Sequence, residues 1–141
     1  MSLMIPLRAC GLIGSLALAA CVAASEAPET NTAPTDPKVA ARGKILFLQC
    51  RACHGLKPEE GHRVGPNLSG LFGRPAASQD GFTYSEAMQN AGITWDGAQL
   101  DEFLKTPYSK VPGTIMAFAG ISADADRAAV IEYLRAETPV E

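Results

Sequence analysis

Two cysteines three residues apart, with a histidine directly after the second, constrain this chain more than any other feature: Cys50-Arg51-Ala52-Cys53-His54. Residues at i and i+3 share one face of a helical turn, so both thiols point to one side and the imidazole follows at once. A thioredoxin-like dithiol has this spacing but requires a neighbouring βαβ pattern, and the sequence has none. A structural zinc site needs four ligands. Cys50, Cys53, His54 and His62 could be counted, yet adjacent Cys53 and His54 rarely both reach one small tetrahedral ion. A disulfide across two intervening residues closes too short a loop to restrain the chain much. The remaining chemistry is c-type haem attachment, in which each thiol forms a thioether to one vinyl group and the histidine reaches the iron. A rigid ring fixes the vinyls and the iron relative to one another, which is why the spacing matters.

The N-terminal stretch bears on these readings. Met1 to Arg8 carries one positive charge, and Ala9 to Ala24 is an uncharged run of 16 small and apolar residues. That run is shorter than the ~20 residues a bilayer-spanning helix needs. A basic start, a short apolar core and a small-residue exit describe a secretory signal peptide. Cleavage after Ala24 would leave Val22 and Ala24 at the small-residue positions. Leu18-Ala19-Ala20-Cys21 also resembles the lipobox of bacterial lipoproteins, which would make Cys21 the lipidated first residue of the mature chain, with residues 1–21 as the signal region. In the alternative, Cys21 is a small apolar residue of that region, as Cys10 is; an uncleaved anchor is the third option. Residues 22–37 are rich in Ala, Ser, Thr, Glu, Asn and Pro and carry no aromatic side chain, the composition of a tether between membrane and domain. The expected location is therefore the periplasmic side of a bacterial membrane, lipid-anchored or else soluble.

Residues 38–141 are left for one folded domain. Of the whole chain 47% is hydrophobic and 19% charged, a globular composition, and the net charge of −3 gives no reason to expect nucleic acid as a partner. Asp36-Pro37 is a capping pair for a first helix, followed by Val39, Gly43, Leu46, Phe47 and Cys50 at helical spacing. Gly55 to Ser78 is Gly- and Pro-rich and reads as loop. Tyr84 to Asn90 reads as a short helix ended by Gly92, and Asp96 to Thr106 as another, stopped before Pro107. Lys110 to Gly120 is loop with a Pro112-Gly113 turn, and a last helix spans about Ala123 to Glu137. The fold class is all-α: three to five short helices with long loops. So few short helices bury too little apolar surface for independent stability, so the centre of the domain needs another occupant. Haem would fill it.

Candidates for the opposite side of the iron are few. His62 is too close to His54 in sequence to reach the other face and reads as a loop residue in water. Met88 falls in a short helix, where methionine usually packs. Met116 lies in an extended loop after Pro112-Gly113-Thr114 and before Phe118 and Gly120, where it can present a thioether to a ring face.

From about Lys38 to Glu137 the chain resembles the class I cytochromes c, particularly the mitochondrial and bacterial c2-like group. The likeness runs through Cys50–His54, Gly65-Pro66-Asn67-Leu68, Gly70-Leu71-Phe72-Gly73-Arg74, Gly81-Phe82-Thr83-Tyr84, Gly92-Ile93-Thr94-Trp95, Val111-Pro112-Gly113-Thr114, Met116 and Phe118-Ala119-Gly120-Ile121. The resemblance implies the cytochrome c fold around one haem c, covalent through Cys50 and Cys53 and ligated by His54 and Met116. It implies that the Pro66 carbonyl orients His54, that Arg74, Tyr84 and Trp95 reach the haem propionates, and that Gly43 and Phe47 pack on Tyr133 and Leu134. It further implies a one-electron carrier rather than an enzyme, a monomer, passing electrons between membrane or periplasmic redox proteins such as respiratory or photosynthetic complexes. The alternatives are a haem subunit of a larger oxidase or dehydrogenase, and a peroxidase or ligand-binding haem protein.

Three positions depart from mitochondrial members: Phe103 replaces a usual tyrosine, Met88 an asparagine and Ile115 a lysine. Fewer polar groups there imply a drier distal side and a different reduction potential. Charge is also uneven. Arg42 to Arg74 holds six basic and two acidic residues, net +4, whereas Pro75 to Leu104 holds five acidic and no basic residues, net −5. Lys105 and Lys110 follow near the methionine loop, a pattern that fits docking of a dipolar carrier on an acidic partner.

Overall fold

The computed structural model describes residues 36–139. The signal region, Cys21 and the tether up to residue 35 lie outside the described residues. Helix α1 spans Pro37–Arg51, α2 Glu86–Gln89, α3 Gly97–Lys105, α4 Pro107–Lys110 and α5 Asp124–Glu137, with a single 3-10 turn at Pro58–Glu60. Among the described residues the β structure is one isolated bridge, Pro75 to Thr94. None of the described helices is long and apolar enough to cross a membrane. The expected all-α architecture of short helices and long loops is the one observed.

Local chemistry explains where the helices begin. The Asp36 carboxylate accepts from the Lys38 N–H at 2.8 Å and Pro37 opens α1, so a donor is capped where proline has none to offer. Asp96 caps α3 in the same way through the Gln99 N–H at 2.7 Å. In α3 the buried residues Leu100, Phe103 and Leu104 fall at i, i+3 and i+4, one stripe turned to the core. The expected helix from Tyr84 to Asn90 is reduced to four residues, because Ser85 caps it and Asn90 already ends it. Helix α4 was not expected. Pro107 stops α3 as anticipated, but its fixed φ also suits a first helical position, and it starts α4 while buried.

The first and last helices form the frame. Gly43 is required at their crossing: a Cβ on it would stand 2.8 Å from Cβ of Tyr133, so only glycine lets the backbones approach this closely. One turn later the Phe47 and Tyr133 rings meet at 5.4 Å between centroids. Arg127 of α5, only 2% exposed, ties in α3 and the chain before α5. Its guanidinium donates to Asp101 at 2.8 Å, to Asp124 at 2.6 Å, and to the carbonyls of Ile121 and Ser122 at 2.9 Å each. A buried cation is tolerated only when its donors are satisfied in this manner.

Candidate haem site

The C-terminal turn of α1 delivers the cysteine motif. The N–H groups of Cys53 and His54 both bond to the Cys50 carbonyl, at 3.0 and 2.9 Å, continuing the helical curl past Arg51. Neither Cys50 nor Cys53 is in a disulfide. Burial, with Cys53 adding to it, pushes the Cys50 thiol up to about 11, so it is protonated and poorly suited to act as a redox nucleophile.

His54 is held with equal definition. Its Nδ1 lies 2.7 Å from the Pro66 carbonyl, which can only accept, so the proton is on Nδ1 and Nε2 keeps its lone pair. Burial holds the imidazole below its ordinary pKa, partly opposed by that hydrogen bond, and the neutral ring is the metal-binding form. Gly65 lies against the ring: a Cβ there would be 2.8 Å from Nδ1 and 2.9 Å from Nε2.

Cys50, Cys53, His54, Arg74, Tyr84, Trp95 and Met116 all line one cavity of about 240 Å³, and so does Pro66. The sequence-expected site residues are thus brought together, although the outermost of them, Cys50 and Met116, are 66 residues apart in the chain. Met88, expected to pack, also lines it. The remaining walls are largely apolar, with Leu68, Leu71, Leu100, Phe103, Leu104 and Leu134 among them. Protein interiors are packed like organic crystals and leave few voids larger than a water molecule. An apolar space walled by two thiols and a lone-pair imidazole on one side and a thioether elsewhere fits a planar apolar cofactor with a metal at its centre. The zinc reading fails here. Both His62 nitrogens are taken by protein groups, and no cluster of three or more possible metal ligands exists among the described residues.

Met116 reaches the cavity through an extended segment. Along Ile115–Ala119 exposure alternates, with Met116 and Phe118 half-buried and Ile115, Ala117 and Ala119 exposed, so that Ile115 and Ala117 meet the cavity only at its rim. The Phe103 ring packs against Trp95 at a tilt of 58°, with centroids 5.2 Å apart, which fixes both rings in the wall. Arg74 donates to the carbonyls of Ser69 at 2.6 Å and Asn67 at 3.3 Å, and burial lowers its pKa while nearby Tyr84 raises it. The Tyr84 hydroxyl is raised by burial, with the Gln79 backbone and Arg74 acting in the opposite direction.

Several expectations change in detail. Ile115 is 66% exposed, so replacing a polar residue there does little to dry the interior. His62 is not a loop residue in water. Its Nδ1 accepts from the Asn67 N–H at 3.1 Å, its Nε2 donates to the Asp80 carbonyl at 2.7 Å, and its ring meets Phe82 edge-on at 5.5 Å. Asn67 is a structural centre as well. It is 4% exposed, and its side chain donates to the carbonyls of Lys57 at 2.7 Å and Gly61 at 3.1 Å while accepting from the Ser69 N–H at 2.8 Å. The available signal was a lone polar residue between Pro66 and Leu68 in a segment too irregular to satisfy its own backbone.

Residues 40–137 match the cytochrome c family model. Over 122 residues the chain is 44% identical to cytochrome c-554 of Methylosinus trichosporium, covering 86% of this chain and 90% of the relative. It is 40% identical over 105 residues to cytochrome c2 of Blastochloris viridis, covering 74% and 83% of the two. Among solved structures, cytochrome cH from Methylobacterium extorquens superposes with a TM-score of 0.65 at 42% identity, over 69% of this chain and 97% of that one. The chain belongs to the cytochrome c family, as a class I member that carries haem c on Cys50 and Cys53 and serves as an electron carrier, not an enzyme.

Proposed function

We propose that His54 Nε2 and the Met116 thioether would hold the haem iron, and that the protein is a periplasmic shuttle delivering single electrons between redox proteins. The bond from His54 Nδ1 to the Pro66 carbonyl carries this reading, because it leaves Nε2 as a lone-pair donor inside the cavity that Met116 also lines. When bound, the haem supplies a reversible one-electron couple, and methionine as the second ligand raises its potential. The protein contributes the rest: apolar walls that exclude water, a fixed imidazole orientation, and Arg74, Tyr84 and Trp95 as polar wall groups suited to the propionates. With the iron held by both His54 and Met116, no ligand position would remain for a substrate, which disfavours a peroxidase. The oxidised protein is expected to show the weak near-infrared absorption of iron–methionine ligation, and Met116→Ala to abolish it. Persistence of that band in Met116→Ala would assign the ligand elsewhere.

The partner meets the carrier at the cavity mouth. Val64 and Ile115, 81% and 66% exposed, both line the cavity and offer apolar contact there. Much of the positive charge counted in the sequence is already compensated, since Lys57 pairs with Glu137, Arg63 with Glu60 and Lys110 with Glu102. Electron-transfer rates with the native partner therefore fall only gently as salt rises, and a rising dependence contradicts docking on an acidic surface. Export rests on the basic start and apolar run of residues 1–24, and attachment by acylated Cys21 rests on Leu18-Ala19-Ala20-Cys21. Mass spectrometry of the mature protein decides the latter, because an N-terminus after Ala24 without acyl chains removes it.

A further inference from the structure

Helix α1 is bare on the side away from the cavity. Ala41, Ile45, Leu48 and Ala52 recur at i, i+4, i+7 and i+11, which places them on one stripe running the length of the helix and its C-cap. All four are exposed, Ile45 by 67% and Leu48 by 62%, and none lines the cavity. Exposed single apolar residues are ordinary, but two large aliphatics adjacent on one helical stripe are not.

Charge distinguishes the kind of partner. Helix α1 contains no acidic residue and four basic ones, Lys38, Arg42, Lys44 and Arg51. On a helical projection Lys44 and Arg51 flank the stripe on one side, and Lys38 and Arg42 on the other. Arg42 is paired with Asp126. Lys38, Lys44 and Arg51 make no ion pair among the described residues, in contrast to Lys57, Arg63 and Lys110. An apolar stripe between uncompensated cations matches the boundary of an anionic bilayer, where aliphatic side chains enter the acyl region and lysines meet the headgroups. The chain also enters the domain at this helix, since Asp36 caps its first turn, and Cys21, the proposed acylation site, lies only a short segment upstream.

We infer that the outer face of α1 is a lipid-docking surface, on which the carrier lies against an anionic membrane and moves in two dimensions, with its redox opening on another face. This surface acts independently of any acyl chain on Cys21. The test uses the haem-loaded mature chain beginning at Ser25, so that neither the apolar run of residues 9–24 nor an acyl chain on Cys21 contributes. Co-sedimentation is read by haem absorbance on vesicles of equal parts phosphatidylglycerol and phosphatidylcholine, and on phosphatidylcholine alone. Binding is expected on the anionic vesicles, much weaker on the neutral ones, and lost at high salt. The double variant Ile45→Ser/Leu48→Ser should weaken partitioning roughly tenfold or more. Lys38→Gln/Lys44→Gln should weaken it several-fold while leaving the haem spectrum unchanged. Sedimentation that is absent on anionic vesicles, or equal for the parent and both variants, overturns the proposal. Because the lysine variant is wholly on the surface, a folding defect in the serine variant leaves the test intact.

Discussion

The two loops that flank the cavity are built by opposite means. The loop from Cys53 to Arg74, on the histidine side, is cross-braced. Gly65 N–H bonds to Cys53, Leu68 N–H to Gly55, Pro66 to His54, Asn67 to three backbone groups with its side chain, and Arg74 to two more. The methionine loop from Val111 to Gly120 has a turn bond from Thr114 to Val111, one from Phe118 to Met116, and the Met116 N–H reaching Thr114 Oγ1 at 3.3 Å. Between Pro112 and Ala119 every hydrogen bond among the described residues is thus local, and the loop rejoins the frame where the Ile121 N–H meets the Leu104 carbonyl at 2.8 Å. The difference teaches how the two proposed ligands are positioned. His54 is placed by the protein, whereas Met116 depends on inward packing of its own and Phe118's side chains and on whatever it grips.

The strongest way to break this comparison is to remove the brace. Asn67→Ala strips partners from Lys57, Gly61 and Ser69 in a site where the residue is 4% exposed, so water replaces them poorly. It is expected to cost about 3 kcal/mol, read as a lower urea midpoint of the haem-loaded protein. A loss below about 1 kcal/mol would mean that the histidine loop is no better braced than its counterpart.

The parts of this contrast that sequence reveals are those with a repeating or covalent rule behind them. Helix α1 was legible from the Asp36-Pro37 cap and the helical spacing of Val39, Gly43, Leu46, Phe47 and Cys50, α3 from the stretch between Asp96 and the stop at Pro107, and α5 as the last helix from about Ala123 to Glu137. The attachment motif was legible because a rigid ring dictates where two sulfurs and an imidazole must stand. Helix α4 was not, since Pro107 serves one helix as terminator and the next as initiator, and a proline signals both alike. The roles of His62 and Asn67 were hidden for another reason. Their partners lie between two and eighteen residues away along irregular chain, a relation with no period to detect. The Arg127 clasp escaped similarly: an arginine in an amphipathic helix reads as solvated until Asp101 is found opposite it.

A smaller effect tests how far the brace extends. His62 joins the histidine loop to the segment around Asp80, and beyond it the Phe82 and Tyr84 rings stack edge-on at 4.8 Å, so the chain carrying a cavity-wall tyrosine is tied to the chain carrying Pro66. His62→Ala removes both ties, although Asp80 is exposed enough for water to replace one. A loss of about 1 kcal/mol is expected, and recovery of part of it in His62→Gln, which can still donate. Should Ala and Gln behave alike, the ring's packing on Phe82, and not its hydrogen bonds, joins the segments.

The smallest effect is the most diagnostic. Thr114→Ala deletes the hydroxyl that accepts from the Met116 N–H, a long bond in a half-buried loop whose amide can turn to water instead. Global stability should change by less than about 0.5 kcal/mol, because neither partner is trapped without solvent. Local opening is a separate quantity, set by the few bonds within the loop and not by the frame. Amide exchange at Met116 and Phe118 should therefore accelerate by a few-fold in the variant, while the amides of Gly65 and Leu68 keep their protection unchanged. The near-infrared methionine band should persist, since the thioether itself is untouched. If exchange at Gly65 and Leu68 rises in step with Met116, the two loops open as one cooperative unit, and the contrast in their bracing has no energetic consequence.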